Sequence, residues 1–260
     1  MLAPLLAIVQ LSYSFPADRP VLYDVNVHFE GYVQVFGGRD ADVEAQMKVE
    51  AVGAAPDAEG NPRAVSEIKS LTMLMNGTPL PLEPKNITRY FPKTTISMTP
   101  QGKTLKTDAP DTKLPISLPA LHPKRFPDIT YLPLEFPVEG VELGKEFRFT
   151  KPFGDSNVEF SVTPETITED AATLSIKMKQ AYLQFEDKYG NAVEEKLGTA
   201  KVSTDVQGTG QATFDRKSGI VSKLNVVAIA NSTATELASG KQSDRKLKTT
   251  LTVTALQEKL

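Results

Sequence analysis

Hydrophobic and polar positions alternate with a period of two along most of this chain, which is the pattern of half-buried β-strands. "VLYDVNVHFEGYVQV", residues 21–35, puts Val21, Tyr23, Val25, Val27, Phe29, Gly31, Val33 and Val35 on one side and mostly polar residues on the other. "ADVEAQMKVEA" does the same with Ala41, Val43, Ala45, Met47, Val49 and Ala51. Runs with helical spacing are scarce. The two strands predict a hairpin, and cross-strand partners must face the same way, so odd residues pair with odd ones across a connection of odd length. Centred on "GGR" at 37–39, as a three-residue loop or within a five-residue one, this pairs Val33 with Val43, Phe29 with Met47 and Val27 with Val49. Gly31 then faces Ala45, where missing bulk permits a bend or bulge.

"LTMLMNGTPLPL" contains Asn76-Gly77, the strongest short signal for a two-residue I′ turn, and sets Met73 against Leu80 and Leu71 against Leu82. Pro79 and Pro81 fall at non-hydrogen-bonded positions in that register, so the second strand is predicted to be a sheet edge. "TISMTPQGKTLKT" predicts a hairpin about Gln101-Gly102. Further strands follow in "EFRFTKPF", "NVEFSVTPETIT", "ATLSIKMKQAYLQFED", "KVSTDVQGTGQATFD", "GIVSKLNVVAIAN" and "KLKTTLTVTAL". In "QAYLQFE" the apolar phase slips from Tyr182 to Leu183 and Phe185, which predicts a bulge there. Matching even faces across "DRKSG" puts Phe214 opposite Ile220, and Gly210 and Gly208 opposite Leu224 and Val226.

The stretch from 108 to 137 carries a proline every four or five residues, too many for a sheet that needs NH donors. It is nonetheless apolar, through Leu114, Ile116, Leu118, Leu121, Phe126, Ile129, Leu132 and Phe136. An extended crossover with at most a short helical turn, lying across one sheet face, satisfies both facts. The expected fold is therefore all-β with little helix: a large curved antiparallel sheet, a half-barrel or open barrel, covered on one face by the proline-rich crossover. Residues 11–107 and 138–260 supply strands of one sheet in a single domain. Residues 1–10 read as a signal-peptide remnant, since the apolar run Leu2 to Leu11 has secretory length but no preceding Lys or Arg. An edge strand in "QLSYSF" is the competing reading. The run is too short for a transmembrane helix.

Composition narrows the roles. A chain of 260 residues with 40% hydrophobic and 23% charged residues builds a large core unaided. The net charge of −3 and the lack of a dense Lys/Arg run exclude a nucleic-acid surface, which needs clustered cations. With no cysteine, disulfides, thiolate nucleophiles and lipid-modified cysteine are excluded together.

Candidate chemistry is sparse. His28 lies on the polar side of its strand and His122 in the crossover, and neither has a ligand-spaced partner. No nucleophile elbow, Walker loop, zincin motif or dinucleotide fingerprint is present, and "GTGQAT" lies inside a strand pattern. Asp40, Asp42 and Glu44 share a strand face within reach of a hard cation, but a solvated face beside a turn explains them more simply. Asp155 and Glu159, Glu165, Glu169 and Asp170, and Glu194 and Glu195 are further acidic groups. The Asn-x-Ser/Thr triplets at Asn76, Asn86 and Asn231 are assigned no role. No catalytic residue, metal ligand or cofactor is nominated.

"LSYSFPADRPVLYDVNVHF", "LPLEFPVEGVELGKEFRF" and "GTGQATFDRKSGIVSKLNV" together resemble a family of bacterial envelope and periplasmic β-proteins. More distantly they are similar to the lipoprotein-carrier half-barrels of the LolA and LppX kind. The carrier resemblance implies a curved antiparallel sheet whose apolar side holds a lipidic ligand, although no amphipathic helix is available here as a lid. The leading expectation is a non-enzymatic protein of the periplasm or cell envelope that binds or carries an apolar, lipid-like ligand. Val27, Phe29, Met47, Val49, Leu132, Phe136, Phe147 and Phe214 are the candidate lining residues; the same side chains equally suit a filled core. A structural or protein-interaction module of the envelope is the alternative, and a carboxylate-dependent hydrolase ranks third. Oligomeric state is left open.

Overall fold

Long strands with one greasy face need a cover, and in this protein the sheet supplies much of it by curling on itself. The structure, a computed structural model, describes residues 8–33, 39–80, 84–110, 126–153 and 156–256. Its strands are β1 (Val21–Val33), β2 (Arg39–Ala54), β3 (Arg63–Met75), β4 (Thr78–Pro79), β5 (Thr94–Met98), β6 (Thr104–Asp108), β7 (Phe147–Phe153), β8 (Ser156–Ile167), β9 (Ala171–Glu186), β10 (Ala192–Val193), β11 (Ala200–Asp215), β12 (Ile220–Glu236) and β13 (Gln242–Leu256). Two short α-helices, α1 (Pro84–Tyr90) and α2 (Phe126–Ile129), and a 3-10 turn at Glu195–Leu197 complete the described elements. All 13 strands join one antiparallel sheet in the order β6-β5-β3-β2-β1-β13-β12-β11-β9-β8-β7, with β4 beside β3 and β10 beside β9. The fold is thus the all-β open sheet that the alternation predicts.

The two ends of the path, β6 and β7, share no ladder, yet they come close. Asp128, in α2, accepts hydrogen bonds at one carboxylate oxygen from Thr104 Oγ1 of β6 (2.8 Å) and from Lys151 Nζ of β7 (2.9 Å). One side chain inserted from the crossover therefore touches both free edges, and the curled sheet is sealed there by a seam of side chains rather than by strand pairing. Lys151 also donates to the Leu132 carbonyl at 2.8 Å, and Glu135 stands 3.9 Å from it.

The inner face is filled at the end of the sheet where Val21, Leu256 and the 216–219 turn lie, here called the plugged end. The crossover residues Phe126, Tyr131, Leu132, Leu134 and Phe136 are buried against the strands, so its described part covers the sheet as the sequence predicts. Leu114, Ile116, Leu118, Leu121 and His122 lie outside the described residues. A strap over residues 8–16 crosses the same end. Val9 exchanges two 2.9 Å backbone bonds with Val141, Tyr13 N donates to the Pro100 carbonyl (2.7 Å), and Ser14 N to the Gly219 carbonyl (2.8 Å). The "QLSYSF" segment is accordingly a strap bonded to turns, not an edge strand. The Tyr13 ring lies 5.6 Å from Phe136 and 5.3 Å from Phe214, and Phe15 lies 5.6 Å from Tyr131. Gly102, with φ +93°, is what lets Tyr13 in: a Cβ there would lie 2.4 Å from the ring. Strap, crossover and strands share one hydrophobic cluster, and each large side chain fully buried in it contributes roughly 1.5–3 kcal/mol.

Turn chemistry is realised at Asn76-Gly77, where φ values of +49° and +76° make the I′ turn. Leu74 faces Pro79, Met73 accepts from Leu80 N, and β4 pairs with β3 alone, an edge as expected. The Gln101-Gly102 hairpin joins β5 to β6.

Three registers differ from expectation. In β1/β2, Phe29 faces Val43, Val27 faces Ala45, Val25 faces Met47 and Gly31 faces Ala41, a shift of four residues that keeps odd with odd. Faces fix parity but not which partner of that parity is chosen, and residues 34–38, with the glycine pair, lie outside the described residues. Gly31 (φ +114°) is unusual for a different reason: a Cβ there would sit 2.3 Å from the Lys246 carbonyl of β13. In β11/β12, Asp215 faces Ile220 and Phe214 faces Val221. A bulge then restores even-to-even pairing, putting Gly210 opposite Val226 and Gly208 opposite Ala228. Ser222, at that bulge, donates to the Thr213 carbonyl at 3.2 Å. Finally, β9 has no bulge at Tyr182: its pairing with β11 runs unbroken from Ala171 to Glu186.

Candidate functional site

The unbroken β9 ladder decides where the site lies. Ala172, Leu174 and Ile176 point inward, so the same phase sends Gln180, Tyr182, Gln184 and Glu186 inward too, while Ala181, Leu183 and Phe185 take the other side. The inner face therefore turns polar toward the far end, opposite the plugged one. There a recess of ≈ 850 Å³ opens between β9, β11, β12 and β13 and the ends of β1, β7 and β8. Ligand sites fall at roughly 300–1,000 Å³. Two other hollows, of ≈ 440 and ≈ 700 Å³, lie among outward-pointing polar chains such as Asp205, Asn231 and Asp244, or Glu159, Lys177 and Lys179.

The register sets Tyr182, Thr204, Ser232 and Arg245 side by side across four strands. Thr204 Oγ1 and Ser232 Oγ share a 2.8 Å hydrogen bond, and Gln180 Nε2 donates to Ser156 Oγ at 2.6 Å. Arg245 Nη1 donates to Glu186 Oε2 at 2.7 Å, although β11 and β12 lie between their strands. Such reach requires the inner face to fold over itself. Gln184 Nε2 donates to the other Glu186 oxygen at 2.9 Å, and the guanidinium carbon stands 4.4 Å from the Tyr32 ring centre, a cation–π contact. The Glu186 side chain is 3% exposed and that of Arg245 17%. A buried ion pair is costly to desolvate and is weak evidence for stability, and this one sits in a ligand-sized recess. Val33, Phe153, Val202, Ala230 and Leu247 supply an apolar lining beside these groups.

Burial raises the Tyr32 phenol above its ordinary pKa, against the lowering effect of Arg245 and with a raising one from Glu186. Burial likewise raises Tyr182, partly offset by its hydrogen bond with Thr204. Both phenols are neutral donors at physiological pH. Around this end, Leu183, Tyr189, Leu197 and Leu237 are large apolar side chains left exposed.

Of the eight nominated residues, Val27, Phe29, Met47, Val49, Leu132, Phe136 and Phe214 are each at most 5% exposed. Phe147 is half-buried and packs on the same cluster. They come together as packed interior, and none of them lines the recess. The sequence signal for its polar lining is the phase slip in β9: a bulge there would turn Leu183 and Phe185 inward, whereas the unbroken ladder turns Gln180, Tyr182, Gln184 and Glu186 inward instead. Of the other candidates, Glu194 borders the recess, Asp155 lies outside the described residues, and His28, Asp42 and Glu44 lie on the outer face. His28 Nε2 is 3.0 Å from Asp42, and Glu44 accepts from Asn26 (2.7 Å) and Gln46 (2.9 Å), which holds its carboxyl below the usual range. Among the described residues no three His, Asp or Glu side chains group so as to hold a metal.

No protein-family model matches the chain. No curated protein matches it either. Among solved structures, one described as "Lipid-protein interactions in lipovitellin" matches with a TM-score of 0.55 and 9% identity, covering 94% of this chain and 26% of that one. At that identity the likeness is one of fold. This chain spans about a quarter of that protein's chain. The likeness covers the fold of this chain's open sheet and is coarser than the carrier half-barrels of the sequence resemblance.

Proposed function

We propose that this chain is a non-enzymatic binding protein for an amphiphilic, lipid-like ligand, held in the far-end recess with its chain on Val33, Phe153, Val202, Ala230 and Leu247. The observation that carries this reading is a ligand-sized volume in which an apolar lining adjoins buried, hydrogen-bonded polar groups. The fold likeness to lipovitellin, described through its lipid–protein interactions, supports it. So do the exposed Leu183, Tyr189, Leu197 and Leu237 at the same end, which suit an approach to lipid. A periplasmic or envelope setting belongs to the same proposal and is checked by fractionating a bacterial host that expresses the chain.

Native mass spectrometry after mild purification tests the binding. A lipid-sized adduct is expected on the wild type and is expected to be lost in Ala230→Trp, which fills the recess from its wall, with little change in melting temperature. Repeated absence of any adduct, or an adduct indifferent to Ala230→Trp, sinks the proposal.

A further inference from the structure

The recess has a definite head end. Resting on the binding role just proposed, we infer that Arg245 receives an oxyanion head, a carboxylate or phosphate, on an amphiphile whose tail lies along the apolar wall. Arg245 has five N–H donors, and one of them, on Nη1, is committed to Glu186. Tyr32 holds the guanidinium plane from one side, which fixes it without using a donor. Glu186, by contrast, is nearly buried, and Gln184 occupies its second oxygen. The acid is thereby saturated and shielded, while the cation retains donors and faces the volume. Lys246, which faces Asn231, points to the outer side, and Glu194 at the rim is neutralised by Lys196 at 2.7 Å. What faces a ligand is thus the uncommitted guanidinium donors of Arg245, with the carboxylate of Glu186 turned away behind its own partners. Planar guanidinium donors match carboxylate and phosphate oxygens in pairs, a geometry an alcohol head cannot use.

Glu186 competes with the ligand for Arg245, and this gives the inference a test with opposite signs. Delipidated protein is titrated by calorimetry with hexadecanoate, with hexadecyl phosphate and with hexadecanol, and with acetate and inorganic phosphate as tail-free heads. The wild type is expected to bind the two anionic amphiphiles about ten-fold or more tighter than the alcohol, as expected for charge-assisted hydrogen bonds. The tail-free anions should be held far more weakly, which assigns the site to lipid rather than to a free anion. Glu186→Gln is expected to tighten anionic amphiphiles several-fold, because it frees the guanidinium; mere damage to the fold would weaken them. Arg245→Gln alone strands a buried carboxylate, so Glu186→Gln with Arg245→Gln is the matched control, expected to bind all three amphiphiles alike. Equal affinity of the wild type for the alcohol and the anions overturns the head-group inference and leaves the binding role standing. Failure to bind any amphiphile overturns both, and tight binding of a tail-free anion reassigns the recess to that anion.

Discussion

The two ends of the inner face are made by the same strands and solve burial in opposite ways. At the plugged end, side chains from the strap and crossover meet the sheet, and Tyr13, Phe136 and Phe214 interlock at ring distances of 5.0–5.6 Å. At the far end, polar chains face inward and satisfy one another through the Arg245–Glu186 pair and the Thr204–Ser232 bond. The difference teaches that continuous pairing does not oblige a sheet to have one kind of inner surface. Packing is concentrated where other segments dock, and a ligand-sized volume is left where the described residues do not fill the face.

Substitutions test that division, beginning with the strongest. Phe214→Ala removes the ring that Tyr13 and Phe136 both contact and is expected to cost about 3–5 kcal/mol in denaturant unfolding. A loss below about 1 kcal/mol, within the range typical of surface changes, would mean the plugged end is not the stabilising one. Lys151→Met leaves Asp128 and Glu135 without their cation and is expected to cost about 3 kcal/mol. It should also speed amide exchange in β6 and β7, and unchanged exchange there would show that the seam does not hold the edges. Gly102→Ala drives a methyl into the Tyr13 ring and is expected to cost about 2 kcal/mol. At the far end Thr204→Val forfeits the hydrogen bonds with Ser232 and Tyr182 and should cost only about 1–2 kcal/mol.

The smallest effect has the opposite sign. Burial raises the Glu135 carboxyl above its ordinary pKa, while Lys151 lowers it and Asp128 raises it. The folded state then holds this proton more firmly than the unfolded chain does. Its stabilising contribution is full below the unfolded pKa and is lost as pH rises through the raised folded value. Glu135→Gln is therefore expected to raise the melting temperature slightly at neutral pH, with the gain vanishing in acid below the ordinary glutamate range. A gain that persists unchanged in acid would refute this assignment.

Much of this division is legible in the sequence, but a phase slip carries two meanings. In β3 the inward set changes from Ala64 and Ile68 to Leu71 and Met73, and a bulge at Lys69 absorbs the change, since Lys48 faces Ser70 while Val49 faces Ile68. In β9 a slip of the same appearance is not absorbed. There the inward Gln180, Gln184 and Glu186 find partners, and Leu183 is left half exposed. Alternation alone cannot distinguish these outcomes, because the decision depends on whether distant strands offer hydrogen bonds to the polar set. Strand identities, the I′ turn and the crossover's burial follow from local rules. The β1/β2 register does not, because a shift by any even number preserves the faces.

The junction at Asp128 has a mechanical implication. A barrel closed by backbone ladders has a girth fixed by its strand count and stagger, whereas this hoop is fastened by a buckle of three charged side chains and the peptide they grip. Its circumference can relax by lengthening a few contacts, without unzipping any strand. A molecule built in this way has its girth set by side-chain packing at the junction rather than by a fixed strand count.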